Sequence, residues 1–286
     1  MRDIGLHHAA ISADGTHIGF TSRGSGPGVV LVQGAMGTAK DFDDLARALS
    51  PDFTVHTPDR RGRGMSPRAY EDDHDIARDV EDLQAVLAET GSSRVFGLSS
   101  GAVITLEAAR TLPSVTHAAV YEPPFYATGV SHSGIARLGR EIERGDLPSA
   151  LVTALLTSGT APGPLRALPR PLARVLASVV LAVDSRRSRP GPSLRDLVPS
   201  VRYDFAVVGG VDGHGQRFAE ITRPTLLLTG SRSPSFLKEA IRALHELIPQ
   251  AELVDLKELD HSGPWNGTGR RGPNAVADAL REFFPR

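Results

Sequence analysis

The sequence predicts an α/β fold: a mostly parallel central sheet with an N-terminal antiparallel hairpin, flanking helices and a helical cap insertion. Three observations carry that expectation. Short apolar runs rich in β-branched residues alternate with segments whose apolar residues recur every three or four positions, as strands joined by crossover helices do. A turn-linked pair of short strand-like segments precedes them. Between residues 123 and 223 the alternation stops, and only helical periodicity remains.

In chain order, 9–12 and 16–22 flank Ala13-Asp14-Gly15 and form the predicted hairpin. The runs 29–33 (VVLVQ), 53–56, 94–98, 117–121, 225–229 (TLLLT) and 252–256 have the length and composition of strands buried on both faces. Helical spacing marks 42–49, 75–89, 100–112, 235–248 and 275–284. The interruption carries helical patterns at 133–144, 147–156, 165–183 and 194–208, and its edges hold Pro123-Pro124 and Pro224. Residues 123–223 are therefore expected to form a cap, with 1–122 and 224–286 as the core beneath it.

The chain has 286 residues, 40% hydrophobic and 23% charged, enough apolar surface for a sizeable core and too little charge for disorder. A formal net charge of -1 gives no basic excess for phosphate backbones, so nucleic acid is not an expected partner. The absence of cysteine excludes a disulfide scaffold, an iron–sulfur cluster, a thiolate zinc site and a cysteine nucleophile. Neither a G-x-G-x-x-G after a strand nor a P-loop occurs, so no nucleotide cofactor is indicated, and no convincing metal-ligand constellation is found. Residues 1–15 lack a signal-peptide apolar run, and no stretch reaches the roughly 18 apolar residues of a membrane span. A soluble cytoplasmic protein acting on a small molecule, away from membranes, is the expectation.

Gly97-Leu98-Ser99-Ser100-Gly101 falls where a predicted strand ends and a predicted helix begins. A G-x-S-x-G turn in that setting is strained and closely packed, so it needs the glycines and exposes the serine hydroxyl, with a helix N-terminus behind it. Ser99 is the candidate nucleophile. Of ten histidines only His261 lies in a loop after the last predicted strand, in the order Ser…His expected of a base for that nucleophile. The other nine, His56 and His74 among them, read as structural or solvated.

Upstream, Gly24-Ser25-Gly26-Pro27-Gly28 leads into the strand at 29–33, which ends in Gln33-Gly34-Ala35-Met36-Gly37. Asp59-Arg60-Arg61-Gly62-Arg63-Gly64-Met65-Ser66 follows the next strand, with a D-x-R-G-x-G-x-S pattern. In this order and over nearly the whole chain, the segments resemble the α/β-hydrolase fold superfamily, of the capped esterase and lactonase type. The resemblance implies an oxyanion site made of the Ala35 and Ser100 backbone N–H groups, with Met36 beside it. Two departures stand out. Gln33 replaces the histidine that commonly precedes the oxyanion-loop glycine, and its amide could still hydrogen-bond. The loop after 225–229, where such proteins usually carry the acid of the triad, reads Gly230-Ser231-Arg232-Ser233-Pro234-Ser235 and holds no carboxylate.

Glu122 directly follows the 117–121 strand, a place where some members of this superfamily carry the acid. Either Glu122 orients His261 or it orders the first turn of the cap. Asp260 adjoins His261, but neighbouring side chains in an extended loop seldom meet, and Glu239 should point away. Phe125, Tyr126, Leu151, Leu155 and Phe205 are candidates for an apolar pocket wall. Glu71-Asp72-Asp73-His74-Asp75 reads as helix capping rather than a metal site. The arginines at 60–63 read as structural, and Arg186-Arg187 and Arg270-Arg271 as solvated pairs. The expected function is a serine hydrolase that needs no cofactor and cleaves an ester, lactone or thioester through an acyl-enzyme. The alternatives are a lyase or cyclase using the same pocket, and a binding protein with a degraded triad.

Overall fold

The computed structural model describes residues 6–126, 129–186, 191–267 and 271–286. The chain opens with β1 (Leu6–Ile11), β2 (His17–Arg23), β3 (Gly28–Val32), α1 (Asp43–Leu49), β4 (Thr54–Pro58), α2 (Ile76–Thr90), β5 (Arg94–Leu98), α3 (Ser100–Thr111) and β6 (His117–Tyr121). It closes with β7 (Thr225–Gly230), α10 (Ser235–Leu247), β8 (Ala251–Leu256) and α11 (Arg271–Phe283). Between β6 and β7 lie α4 (His132–Glu143), α5 (Leu147–Thr157), α6 (Gly163–Ala167), α7 (Arg170–Ser185), α8 (Leu194–Leu197) and α9 (Val201–Gly210).

One sheet holds all eight strands in the order β1-β2-β4-β3-β5-β6-β7-β8. The β1–β2 and β2–β4 pairs are antiparallel and the rest parallel, as the hairpin and the strand–helix alternation imply. Each face carries its own apolar layer. Val30, Val32 and Val120 face α2, α3 and α10, where Leu83, Ile104 and Ile241 meet them. Val29, Leu31 and Phe96 face Phe42, Leu45 and Leu280 of the α1 and α11 side.

Three expectations need correction. β8 is not buried on both faces: among the described residues it pairs with β7 alone, and its residues range from half-buried to exposed. The pattern at 165–183 is two helices, because Pro169 and Pro171 interrupt the first and begin the second. The pattern at 194–208 likewise breaks at Pro199, where a 3₁₀ turn separates α8 from α9. Arg187 and Arg270 lie outside the described residues; Arg271 is exposed and pairs with Glu258.

Candidate active site

Ser99 sits between β5 and α3 with φ 56° and ψ -122°, a conformation that L side chains rarely adopt. The flanking glycines are required by close backbone approach. A Cβ on Gly97 would lie 2.3 Å from the Gly101 carbonyl oxygen, and one on Gly101 2.4 Å from that of Val32. The Ser99 N–H donates to the Tyr121 carbonyl at 2.9 Å, pinning the turn to the next strand.

Glu122 follows β6 directly, also at positive φ (49°), and is fully buried. One carboxylate oxygen lies 2.7 Å from His261 Nδ1. The other accepts hydrogen bonds from the Thr229 hydroxyl at 2.9 Å and the Gly230 N–H at 2.7 Å. Burial alone would raise this carboxyl, but the hydrogen bond and charge interaction with His261, with the Gly230 N–H, outweigh it and hold the group below the ordinary carboxylate range. The loop after β7, which holds no carboxylate, thus supplies a backbone donor to the one after β6. Asp260 turns into its own loop, accepting from the Ser262 N–H and hydroxyl, and Glu239 is exposed on α10. The Tyr121 hydroxyl donates to the Asp260 carbonyl at 2.7 Å and fixes the start of the histidine loop.

The loop after β3 brings Ala35 and the strained Met36 (φ 56°) beside Ser99. A Cβ on Gly37 would lie 2.1 Å from the Trp265 ring, so this loop also packs tightly against the one carrying His261. The buried Gln33 amide makes no hydrogen bond among the described residues, contrary to expectation. Arg63 holds the loop instead, donating to the Gly34 carbonyl at 2.8 Å and the Gly37 carbonyl at 3.2 Å. The Gly34 carbonyl and the Ala35 N–H belong to one planar peptide, so gripping the first fixes the direction of the second.

Asp204, from the first turn of α9, completes this arrangement. Its carboxylate accepts from Arg63 at 2.5 Å, Arg60 at 2.7 Å and the Ser100 hydroxyl at 2.7 Å. Arg60 also donates to Asp79 at 2.9 Å, and His74 Nε2 lies 2.8 Å from the other Asp79 oxygen. Burial would raise both carboxyls; Arg63 and Arg60 reverse this at Asp204, and Arg60 and His74 bring Asp79 down to about 2. Two buried cations and two buried anions therefore balance. Asp59, the first residue of the D-x-R-G-x-G-x-S segment, braces loops by accepting from the Ala39 and Met65 N–H groups. Asp75 caps α2 through the Ala77 N–H.

Ser99, His261, Ala35 and Ser100 open onto one cavity of about 170 Å³. Met36, Tyr126, Leu155 and Phe205 line it with Phe236, Val201 and the Asp204 carboxylate. Phe125 does not: its ring packs edge-on against Phe218 in the core. Leu151 packs within the inserted helices. Tyr126 stacks on Phe236 and donates to the Ser158 carbonyl, and burial pushes its hydroxyl up to about 12. Sequence reasoning missed Asp204, Phe236 and Trp265 as cavity residues. The available signal for Asp204 was an acidic residue inside an apolar helical stretch opposite a surplus of arginines at 60–63.

A strained serine after β5, a histidine after the last strand and a loop after β3 at one sheet edge define a hydrolase of this topology. The chain belongs to the alpha/beta hydrolase family, whose model matches residues 29–278. It is 33% identical over 122 residues to the uncharacterized hydrolase YraK of Bacillus subtilis, covering 42% of this chain and 45%, about half, of that relative. It is 27% identical over 277 residues to the pimeloyl-[acyl-carrier protein] methyl ester esterase of Stenotrophomonas maltophilia, covering 93% of this chain and 95% of that one. Among solved structures, an alpha/beta hydrolase from Sphaerobacter thermophilus superposes with TM-score 0.78 at 33% identity, covering 97% of this chain and 100% of that chain. The chain is thus a hydrolase-family protein with an esterase among its relatives.

Proposed function

We propose that this protein is a serine hydrolase that cleaves an ester, lactone or thioester bond of a small, uncharged, largely apolar substrate through an acyl-enzyme. One observation carries the reading: His261, which shares a cavity with the strained Ser99, is hydrogen-bonded through Nδ1 to a buried, ionised carboxylate. That contact fixes the tautomer in which Nε2 is free to accept a proton.

Ser99 Oγ attacks the substrate carbonyl carbon and passes its proton to His261 Nε2. The imidazolium formed is stabilised by Glu122. The Ala35 and Ser100 N–H groups hold the oxyanion; the Ser100 N–H lies in the first turn of α3, where the helix offers it no internal acceptor. As the intermediate collapses, His261 returns the proton to the departing oxygen or sulfur. Water then attacks the acyl group, His261 takes one of its protons, and the acid is released with Ser99 restored. Asp204 acts through others, holding Arg63 and Ser100 on both sides of the oxyanion site.

Substrate size follows from the cavity, whose volume suits a short acyl chain or a single ring, and charge neutrality from its apolar lining and balanced ion pairs. The inserted helices act as the cap that shapes it, and the carboxylic ester in the Stenotrophomonas relative's name supports the bond class. A p-nitrophenyl ester series tests the proposal. Short acyl esters should turn over, Ser99→Ala should lower the rate on the order of 10⁴-fold, and a fluorophosphonate should add to wild type alone. Turnover by Ser99→Ala within about tenfold of wild type removes the acyl-enzyme. Labelling without ester turnover moves the site to the lyase or cyclase reading.

A further inference from the structure

Eight large apolar side chains are well exposed among the described residues, and seven of them fall between Leu168 and Val183. Six lie on α7 at 172, 175, 176, 179, 180 and 183, a spacing that makes one continuous stripe along the helix. The opposite face is apolar too: Ala173, Ala177 and Leu181 are buried within the inserted helices, against a layer that includes α5. Beside the polar strip of Arg174, Ser178 and Ser185, α7 thus carries two apolar faces, and only one of them is covered by its own fold. On a monomer the stripe leaves roughly 500 Å² of contiguous apolar surface in water, the upper end of what monomers carry without a partner.

We propose that this stripe is the centre of a homodimer interface in which two α7 helices pack antiparallel about a two-fold axis. The stripe complements itself. A two-fold axis between positions 177 and 178 sets Leu172 opposite Val183, Val175 opposite Val180 and Leu176 opposite Val179, so each apolar side chain meets another. An isologous contact of this kind closes on itself and leaves no second copy of the stripe exposed. The area also fits: a stable interface buries about 800 Å² per partner, with a core that is about 65% apolar.

The neighbouring charges favour a second copy over a lipid surface. Arg166 is held by the Gly159 and Ala161 carbonyls, Arg170 lies against Thr153 and Glu141, and Arg174 is paired with Asp146. These cations are committed to their own subunit rather than arrayed for anionic headgroups. Interfacial membrane helices pair loose Lys and Arg with Trp, Phe or Leu, whereas α7 has a valine-rich face and no aromatic residue.

Sedimentation of the full chain should give a dimer, and Val175→Glu with Val179→Glu should give a monomer with wild-type circular dichroism and ester turnover. Because the chain has no cysteine, Val179→Cys provides an independent readout. On mild oxidation it should form a covalent dimer, whereas Ile11→Cys, at the one well-exposed large apolar position away from this segment among the described residues, should not. A monomeric wild type at micromolar concentration overturns the proposal, as does a dimer that survives the paired glutamates. Co-sedimentation with phosphatidylcholine–phosphatidylglycerol vesicles, abolished by the same substitutions in a monomeric protein, overturns it in favour of a membrane surface.

Discussion

Two buried carboxylates flank the cavity and reach it from different parts of the chain, Glu122 from the end of β6 and Asp204 from the first turn of α9. Glu122 faces one imidazole, one hydroxyl and one backbone N–H. Asp204 faces two guanidinium groups and a hydroxyl. The difference is chemical. Arg60, Arg63, Asp79 and Asp204 are already neutralised and have no proton to exchange with the reaction, so that side of the site can only hold geometry. Glu122 gains a full ion-pair partner only when His261 becomes cationic, so its strongest interaction belongs to the proposed transition state. In the proposed mechanism one wall moves protons, and the other fixes N–H groups.

If that division is right, removing the charge at Glu122 has the largest effect. Glu122→Gln should cost on the order of 10³–10⁴ in kcat, or about 4–5.5 kcal/mol of barrier, while Ser233→Ala on the neighbouring loop does little. Near-full activity in Glu122→Gln, measured on a short p-nitrophenyl ester, would leave His261 without a carboxylate partner in the mechanism.

Asp204→Asn should cost less, about 10- to 100-fold in kcat with KM nearly unchanged, because it loosens donors that act on the oxyanion rather than on bound substrate. Leaving Arg60 and Arg63 with Asp79 alone should also destabilise the fold by about 3–5 kcal/mol in chemical denaturation. A loss of stability with kcat intact in the folded protein would reduce Asp204 to a structural tie.

The smallest expected effect is on pH dependence. Glu122 is held below the ordinary carboxylate range, so it stays ionised through mild acid and adds no second proton to the profile. The acid limb of log kcat/KM should therefore have a slope of about one, with no contribution from Glu122. The same sign governs stability. A depressed carboxyl stabilises the fold above its unfolded value and loses that contribution as pH falls through its folded value, which for Asp79 is about 2. A slope near two in mild acid would place Glu122 among the titrating groups.

The two walls also differed in how far the sequence revealed them. Strand–helix alternation, the glycine-flanked Ser99 and the order Ser99…His261 are local features, and each strand end maps to one short segment. Glu122 was legible because the loop after β7 lacks a carboxylate and the adjacent strand is followed directly by one. Asp204 lies 144 residues from Arg60, and only tertiary packing brings α9 to that loop. Phe125 and Tyr126 are neighbours in sequence, yet only Tyr126 lines the cavity, because the side on which the chain leaves β6 carries no periodic signal. The break in 165–183 was readable at Pro169 and Pro171; an unbroken apolar period overrode it.

The double variant Glu122→Gln/Asp204→Asn tests the division most directly. Groups acting independently on one transition state contribute separately, whereas members of one relay do not. The residual rate of Glu122→Gln should still depend on the oxyanion site, so kcat of the double variant should fall by a further 10- to 100-fold, near the product of the two single losses. A double variant no slower than Glu122→Gln would show that Asp204 acts through His261, and that the two walls are one.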